Sequence, residues 1–328
     1  MNNSQPWQKY PLIRKPLEEV NQLIQATIRT PYSDLQDALL EMASNGGKYL
    51  RPSLLILSAQ IASKKETVSK QIIQLASSIE ILHMASLIHD DIIDDSDERR
   101  GKISIQARFG KDTAVYAGDL LFTHFFDLIL NAISEQDYMI KNAHTMHHLL
   151  AGELGQMAER FNLSQDFNDY LTNVKGKTAA LFRLAAEEGS HFGNGDEQTT
   201  QALASGENLG IAFQIVDDIL DYTGGKQLNK PTLEDLTTGV DSLPILLALS
   251  KKELREQLVP LLEKKRQMSK NDIEQIQKIL LNSSVIEETH ALAEQYTNRA
   301  LANLAQLPQT NATVLLKKMT RKLVNRTL

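Results

Sequence analysis

The chain has 328 residues, of which 42% are apolar and 23% charged, so it can form a sizeable core and is not a disordered polymer. Its net charge of −6 argues against a nucleic-acid partner, because phosphate-backbone binding depends on clustered Lys and Arg. The absence of cysteine excludes disulfides, thiolate metal sites and cysteine nucleophiles. The polar amino terminus and the lack of an apolar run near the roughly 18 residues of a membrane span predict a cytoplasmic protein.

Apolar residues recur with helical spacing along almost the whole chain, which predicts an all-α fold without a substantial sheet. No low-complexity linker divides the sequence, so we expect one all-helical domain over residues 1–328. One helix is expected to open at Ser33 and to end at Asn45-Gly46-Gly47. The other predicted helices cover residues 12–29, 49–63, 67–95, 111–133, 136–161, 167–192, 198–223, 242–264, 270–281, 284–306 and 311–326.

The first chemically suggestive segment is Gly46-Gly47-Lys48-Tyr49-Leu50-Arg51-Pro52, a turn that leads into a helix. Backbone N–H groups at such a turn, together with Lys48 and Arg51, suit an anion. A helix stop that happens to carry two surface cations explains the same residues equally well. Further along, His83 lies seven residues before Asp90 and shares its helix face, so it is either a structural histidine or a phosphate contact.

Two acidic clusters of identical DDxxD spacing follow, each after an apolar helical run. On a helix this spacing gathers three carboxylates on one face, where they repel one another. Solvated acidic turns are the usual interpretation of a short Asp run. Two copies favour a functional interpretation, in which a hard, oxygen-preferring ion such as Mg²⁺ offsets the repulsion and holds a diphosphate between the faces. The clusters are Asp90, Asp91 and Asp94, and Asp217, Asp218 and Asp221.

Basic residues follow both clusters. Arg99 and Arg100 come within one short loop of the first, and Lys230 lies in the long polar loop after the second. Arginine suits phosphate because its planar fork donates two hydrogen bonds at once. The segment Lys175-Gly176-Lys177-Thr178 interrupts an otherwise helical stretch, where a lysine usually lies on a solvated face. The histidine group of residues 144, 147 and 148 lacks the partner that a carboxylate-bridged metal bundle would need.

Taken together, these residues resemble the trans-isoprenyl diphosphate synthases, the polyprenyl synthetase family, and among them its long-chain bacterial members. The resemblance covers nearly the whole chain. It implies a single large isoprenoid synthase-like helical bundle with a central active-site cavity between facing helices. The motifs that carry it are GGKYLRP at 46–52, Glu80-Ile81-Leu82-His83, HDDIIDDSDERRG at 89–101, Gly118-Asp119, Gly155-Gln156, KTAALF at 177–182, FQIVDDILD at 213–221 and Asn229-Lys230-Pro231 with Asp235.

The resemblance implies a prenyltransferase that joins an allylic diphosphate to isopentenyl diphosphate. Several Mg²⁺ ions would be ligated by Asp90, Asp91, Asp94, Asp217, Asp218 and Asp221 and would neutralise the departing diphosphate. Further positive charge beside that leaving group would come from Arg99, Lys177 and Lys230. The diphosphate of the second substrate would be held by Lys48, Arg51, His83 and Arg100. Oxygen dipoles directed at the carbocation would come from Thr178 and Gln214.

Two departures from the family pattern concern phosphate binding. Val240 stands where relatives often carry a lysine, which predicts altered affinity and not inactivity. Asn229 replaces the glycine before Lys230 and is expected to stiffen that loop.

Product length is expected to depend on the helix just upstream of Asp90. Short-chain relatives place bulky aromatics where this chain has Ala85 and Ser86, so we predict an open tunnel and a long-chain product for a quinone side chain. Phe122, Phe125 and Phe126 are candidate stops at its end. The alternatives are a farnesyl or geranylgeranyl diphosphate synthase, a terpene cyclase and a non-catalytic regulatory subunit. Partner expectations are a homodimer or a heterodimer with a small non-catalytic subunit, with loose membrane association through the product.

Overall fold

The structure is a computed structural model that describes residues 6–44, 48–99, 101–224, 233, 236, 238–240 and 242–324. About 80% of it is helical, so the all-α prediction is confirmed. Among the described residues the only sheet is a two-stranded antiparallel ribbon in which β1 (Glu98–Arg99) pairs with β2 (Lys102–Ile103).

The first helices in chain order are α1 (Pro11–Thr27), α2 (Ser33–Ser44), α3 (Leu50–Ser63), α4 (Lys70–Ile93), α5 (Ile105–Phe109), α6 (Lys111–Ala132) and α7 (Gln136–Ala158). They are followed by α8 (Phe167–Val174), a π-helical segment (Lys175–Ala179), α9 (Ala180–Phe192), α10 (Glu197–Leu203) and α11 (Gly206–Thr223). The last are α12 (Leu243–Leu249), α13 (Lys252–Leu262), α14 (Lys270–Leu281), α15 (Val285–Ala305) and α16 (Asn311–Val324), and short 3-10 turns cover Pro6–Lys9 and Lys265–Gln267.

The helices differ from the predicted ones mainly where a polar residue ends one helix and starts another. The Ser69 hydroxyl accepts a hydrogen bond from the Ile72 N–H at 3.3 Å, which makes it the N-cap of α4. The predicted helix 198–223 is two helices separated at residues 204–205, and 242–264 is broken at 250–251, where Lys251 is extended. Asn45-Gly46-Gly47, the predicted end of α2, lies outside the described residues.

The chain divides into two compact units. The first comprises Met1–Ala143, Leu184–Ala204 and Gln306–Leu316, and the second comprises His144–Arg183, Ser205–Ala305 and Lys317–Leu328. In the first, α4 packs along α6 and against α3 and α1. In the second, α11 packs along α15 and against the π-helical segment. The single domain over residues 1–328 stays a prediction.

Two of these helices, α4 and α6, are long and apolar enough to cross a membrane by length and composition, contrary to the prediction that no apolar run approaches that length. Within the tested windows, 72% of the α4 residues and 39% of the α6 residues are buried in the protein. The core helix of a soluble protein passes the same test, so these two helices are weak evidence for a membrane span. The cytoplasmic location stays a prediction.

The first unit contains a fully buried acid, Glu188. Its Oε1 accepts a hydrogen bond from Asn142 Nδ2 at 2.6 Å, and the neighbouring Glu187 is paired with Lys141 at 3.2 Å. Burial raises the pKa of Glu188 to about 8, with the Asn142 hydrogen bond opposing the shift. Glu188 is therefore protonated in the folded chain at neutral pH.

Replacing this acid by its neutral isostere, Glu188→Gln, is expected to flatten the dependence of stability on pH. Between pH 4.5 and about 8 the folded chain keeps a proton that the unfolded chain has released. The stabilisation that Glu188 contributes is thus complete below pH 4.5. As pH rises from there to about 8, the free energy of unfolding falls by about 1.4 kcal/mol per pH unit. Denaturant unfolding between pH 5 and 8 measures the slope. The exposed control Glu256→Gln should keep the wild-type slope, and an unaltered slope in Glu188→Gln would contradict the assignment.

Candidate functional site

The first aspartate cluster lies at the carboxyl end of α4, as predicted. Asp90 and Asp91 occupy its last turn, and the N–H of Asp94 closes that turn by donating to the Asp90 carbonyl at 2.9 Å. The three side chains differ in environment: Asp91 is only 2% exposed, Asp90 is partly exposed and Asp94 is exposed. One of the three carboxylates is therefore enclosed by protein, and the other two can reach a ligand.

The buried Asp91 is held by Arg99. From β1, Arg99 Nε donates to Asp91 Oδ1 at 2.7 Å, and a second guanidinium nitrogen contacts the same oxygen. Burial raises the pKa of Asp91, and the Arg99 hydrogen bond and charge partly offset that effect. The neighbouring Arg100 lies outside the described residues.

His89, which was not among the predicted site residues, lies directly before this cluster. Its Nε2 lies 3.3 Å from Asp119 Oδ1 on α6, and its ring centroid lies 5.2 Å from that of Phe122. His83, which was a predicted site residue, is partly buried six residues earlier, and its carbonyl accepts from the Ser86 hydroxyl at 2.9 Å. Asp119 belongs to the Gly118-Asp119 motif, but only the fold brings it to His89.

The cation segment enters α3 through an unusual backbone. Lys48 is exposed and Arg51 is partly buried, while Tyr49 between them is buried with φ 49° and ψ 39°, the left-handed region that is rare for large residues. Its hydroxyl donates to the Ala43 carbonyl at 3.0 Å and accepts from Asn21 Nδ2 at 2.7 Å. These two hydrogen bonds hold the Tyr49 ring in place and so fix the backbone between the two cations. The preceding Gly46 and Gly47 are outside the described residues.

In the second unit, Lys177 and Thr178 lie in the π-helical segment, a feature often found at functional sites. Lys177 Nζ lies 2.8 Å from Glu153 Oε2 and donates to Gln156 Oε1 at 3.0 Å, both on α7. The buried Thr178 hydroxyl donates to Gln214 Oε1 on α11 at 2.8 Å. Lys177 and Thr178 are adjacent in the π-helical segment, yet they contact two different helices, α7 and α11.

The second aspartate cluster lies on α11 and repeats the pattern of the first. Asp218 is 4% exposed, and its carboxylate accepts from Gln214 Nε2 at 2.9 Å, the Tyr170 hydroxyl at 2.7 Å and the Leu243 N–H at 3.1 Å. Asp217 and Asp221 are partly exposed, and Asp221 Oδ1 accepts from the Leu233 N–H at 2.9 Å. The loop predictions at Asn229, Lys230 and Asp235 fall outside the described residues.

A small pocket beside this cluster includes Val240, the position where the family often carries a lysine. It is lined by Gln156, Glu159, Gln165, Tyr170, Asn173, Val174 and Val240. Two of these residues link it to the described networks, because Gln156 contacts Lys177 and Tyr170 contacts Asp218.

Carboxylate oxygens at partly exposed positions are the donors that Mg²⁺ prefers, so the chemistry of both clusters fits the predicted ion. Within the described ranges no group of three or more His, Asp or Glu side chains is already arranged around a metal position. Magnesium and its six predicted ligands therefore stay predictions. The histidines 144, 147 and 148 are exposed or partly exposed along α7, as expected for a solvated helix face.

The two proposed chain-length residues differ in accessibility. Ala85 is fully buried, whereas Ser86 is partly exposed. Among the candidate stops, Phe125 is fully buried and Phe126 is 41% exposed. Of the two, only Ser86 is therefore accessible from outside the protein core.

Comparison with known proteins identifies the class. A profile of the family described as polyprenyl synthetase matches residues 33–280. Component 2 of the heptaprenyl diphosphate synthase of Bacillus subtilis (strain 168) is 30% identical over 305 residues, which cover 92% of this chain and 86% of that protein. The fold resembles the geranylgeranyl pyrophosphate synthase of Lactobacillus brevis, with TM-score 0.91, 35% identity, and 98% and 99% of the two chains covered. It also resembles a Caulobacter crescentus polyprenyl synthase complexed with calcium and isoprenyl diphosphate, with TM-score 0.89, 30% identity and 97% coverage of both chains.

The chain belongs to the polyprenyl synthetase family, as its motifs predicted. It is a prenyltransferase of isoprenoid biosynthesis. The relatives named above include both a heptaprenyl and a geranylgeranyl synthase, so family membership leaves the product length open.

Proposed function

We propose that the chain condenses an allylic diphosphate, such as farnesyl diphosphate, with isopentenyl diphosphate in Mg²⁺-dependent head-to-tail elongation to a long-chain polyprenyl diphosphate. The observation that carries the proposal is the repeated environment of the two aspartate clusters. In each, the second aspartate is buried and held by protein donors while the first is partly exposed.

This repetition supports a division of roles within each cluster. Asp90, Asp94, Asp217 and Asp221 would offer oxygens directly to metal. Asp91 and Asp218, held by Arg99 and by the Gln214, Tyr170 and Leu243 donors, would orient the helix end and add negative charge behind the ligands. Bound Mg²⁺ would supply charge stabilisation for the departing diphosphate as a Lewis acid.

The basic residues would bind the diphosphates by charge and hydrogen bonding. Lys177 would turn its amine from Glu153 and Gln156 to the allylic diphosphate, with Arg99 and Lys230 adding charge. Lys48 and Arg51, on a turn whose backbone is already fixed by Tyr49, would bind isopentenyl diphosphate together with His83 and Arg100. Such positioning brings the double bond close to the allylic carbon and accounts for much of the rate gain in two-substrate reactions.

The assay that tests the proposal uses labelled isopentenyl diphosphate, farnesyl diphosphate and Mg²⁺, with the lipid products sized by chromatography. Linear polyprenyl diphosphates longer than geranylgeranyl support the long-chain proposal, and products that stop at farnesyl or geranylgeranyl length indicate a short- or medium-chain synthase. Cyclic hydrocarbons would indicate a cyclase. Absence of turnover by the chain alone, with turnover restored by a second protein, would indicate a two-component enzyme.

We also propose that the chain associates, either with itself or with a small second subunit. Exposed apolar side chains on α6 support this, among them Tyr116 at 76% and Leu130 at 64% exposure. Light scattering of the purified chain, alone and during turnover, measures whether the active species is a dimer.

For product length, Ser86→Phe is expected to shift the longest product downward by several isoprene units, because the aromatic ring would occupy space that the hydroxymethyl group leaves open. Ala85→Phe is a poorer test, since a fully buried alanine has no room and overpacking costs about 1–3 kcal/mol. Chromatography of the dephosphorylated products is the measurement. Ser86→Thr serves as the size control, and an unchanged distribution in Ser86→Phe would contradict the tunnel proposal.

A further inference from the structure

We infer that Gly152 and Gly176 are positioning residues: their backbone-to-backbone crossing holds the π-helical segment against α7 and so directs Lys177 and Thr178 to the allylic diphosphate. The inference rests on the proposed function, because it assigns those two side chains to that substrate. The residues that carry it all belong to the second unit.

The helix between α8 and α9 is locally widened. The Ala180 N–H donates to the Lys175 carbonyl, five residues back, in place of the usual four. The widened turn contains one extra residue. The side chains that follow it therefore point in other directions than they would on a regular α-helix. An isolated helix does not adopt this turn readily, so a tertiary contact must stabilise it.

Two glycines provide that contact. A Cβ added to Gly152 would lie 2.5 Å from the Lys177 backbone nitrogen and 2.9 Å from the Asn173 carbonyl oxygen. A Cβ added to Gly176 would lie 2.5 Å from the His148 carbonyl oxygen and 3.1 Å from the Gly152 Cα. The obstructing atoms are main-chain atoms, which cannot turn aside as side chains do. Only glycine at both positions allows the two segments to approach this closely.

The close approach determines where the proposed substrate groups lie. With its backbone against Gly152, Lys177 extends along α7 to Glu153 and Gln156, at i+1 and i+4 from that glycine. Thr178 meets Gln214 on α11, and Gln214 donates to Asp218 of the second aspartate cluster. The crossing thus links the lysine, the threonine and the aspartate cluster through one continuous set of contacts.

Adding one methyl group at the crossing, Gly152→Ala, is expected to displace Lys177 without removing any of its atoms. We expect the KM for the allylic diphosphate to rise about tenfold, with the KM for isopentenyl diphosphate unchanged within a factor of two. Calorimetric binding of inorganic pyrophosphate with Mg²⁺ should weaken by a similar factor, and the thermal unfolding curve should stay cooperative. Gly176→Ala should give the same pattern.

The matched control is Gly155→Ala on the same helix, one turn further. There the added Cβ would lie 2.5 Å from Asn173 Oδ1, the far end of a side chain that can rotate away. Both substitutions exchange a helical glycine for alanine, so an effect of helix propensity alone would appear in both. We expect wild-type KM values for Gly155→Ala. Equal effects of the two substitutions would overturn the inference.

A double-mutant cycle with Lys177→Ala tests the route of the effect. If Gly152→Ala acts by moving Lys177, it should change the allylic KM little once the lysine is absent, whereas independent effects would multiply. If Gly152→Ala does not fold, Gly176→Ala replaces it in the cycle, because it disturbs the same crossing from the other segment. Multiplicative effects in either cycle overturn the inference.

Failure of the inference and failure of the proposed function give different results. A wild-type chain that binds Mg²⁺-pyrophosphate but forms no prenyl product would reject the proposed condensation. A wild-type chain that elongates normally, with Gly152→Ala and Gly176→Ala unchanged in both KM and pyrophosphate affinity, would reject the positioning role alone.

Discussion

Asp217→Asn is expected to lower turnover about 10³-fold while leaving the free energy of unfolding unchanged, and Asp218→Asn is expected to lower both. Asp217 is partly exposed and would offer its oxygens to metal, so its loss removes electrostatic stabilisation of the transition state. Asp218 is buried, and its two oxygens accept three hydrogen bonds. An amide there would point a donor at another donor, which costs about 1–3 kcal/mol of folding stability.

Steady-state kinetics and denaturant unfolding on the same preparations separate these outcomes. Tyr170→Phe is the matched control, because it removes one hydrogen bond from Asp218 and keeps the carboxylate charge; a reduction in turnover of less than tenfold is expected. If Asp217→Asn destabilised the fold as much as Asp218→Asn, the proposed division between ligand and supporting aspartates would be wrong.

Arg99→Met is expected to destabilise the first unit by about 3 kcal/mol at neutral pH and less in acid, because removing one partner leaves a buried charge uncompensated. Burial raises the pKa of Asp91, and the Arg99 guanidinium lowers it. Without the arginine the pKa rises further above its ordinary 3.8. The contribution of Asp91 to stability is then complete below its ordinary pKa of 3.8 and is lost as pH rises through the higher pKa of the folded form.

Unfolding free energies of both proteins at pH 5 and pH 8, in metal-free buffer, measure this effect. The difference between wild type and Arg99→Met should be larger at pH 8. Arg108→Met, on an exposed arginine of α5, is the control for loss of a cation without a buried partner. A difference that is equal at both pH values would show that Arg99 stabilises the fold by packing and not through the Asp91 charge.

The helical fold and both aspartate clusters could be predicted because they depend on local spacing. A 3.6-residue apolar period and a DDxxD interval place side chains on one helix face whatever the rest of the chain does. Local spacing also identified Lys177-Thr178 as an interruption. The cause of this interruption, the π turn, could not be recognised from the sequence. The turn depends on Gly152, which lies 24 residues before Gly176 on another helix.

The different environments of the aspartates were also not predictable. Asp90 and Asp91 are chemically identical neighbours, and only Asp91 is buried, where it accepts a hydrogen bond from Arg99 of β1. His89 was missed for the same reason, since its partner Asp119 lies on α6. In these cases the deciding contact joins residues that are distant in sequence, where side-chain type alone indicates little.

The backbone at Tyr49 has a consequence for shortened or tagged versions of the protein. Its left-handed conformation costs about 1–3 kcal/mol and persists because the ring is enclosed by Asn21 on α1 and, edge to face at 6.1 Å, by Trp7. Deleting the leading two dozen residues would release the ring and let the turn relax. Such a truncation is expected to weaken the binding of one substrate, although it removes no binding residue. The amino-terminal residues should therefore be retained when the protein is expressed.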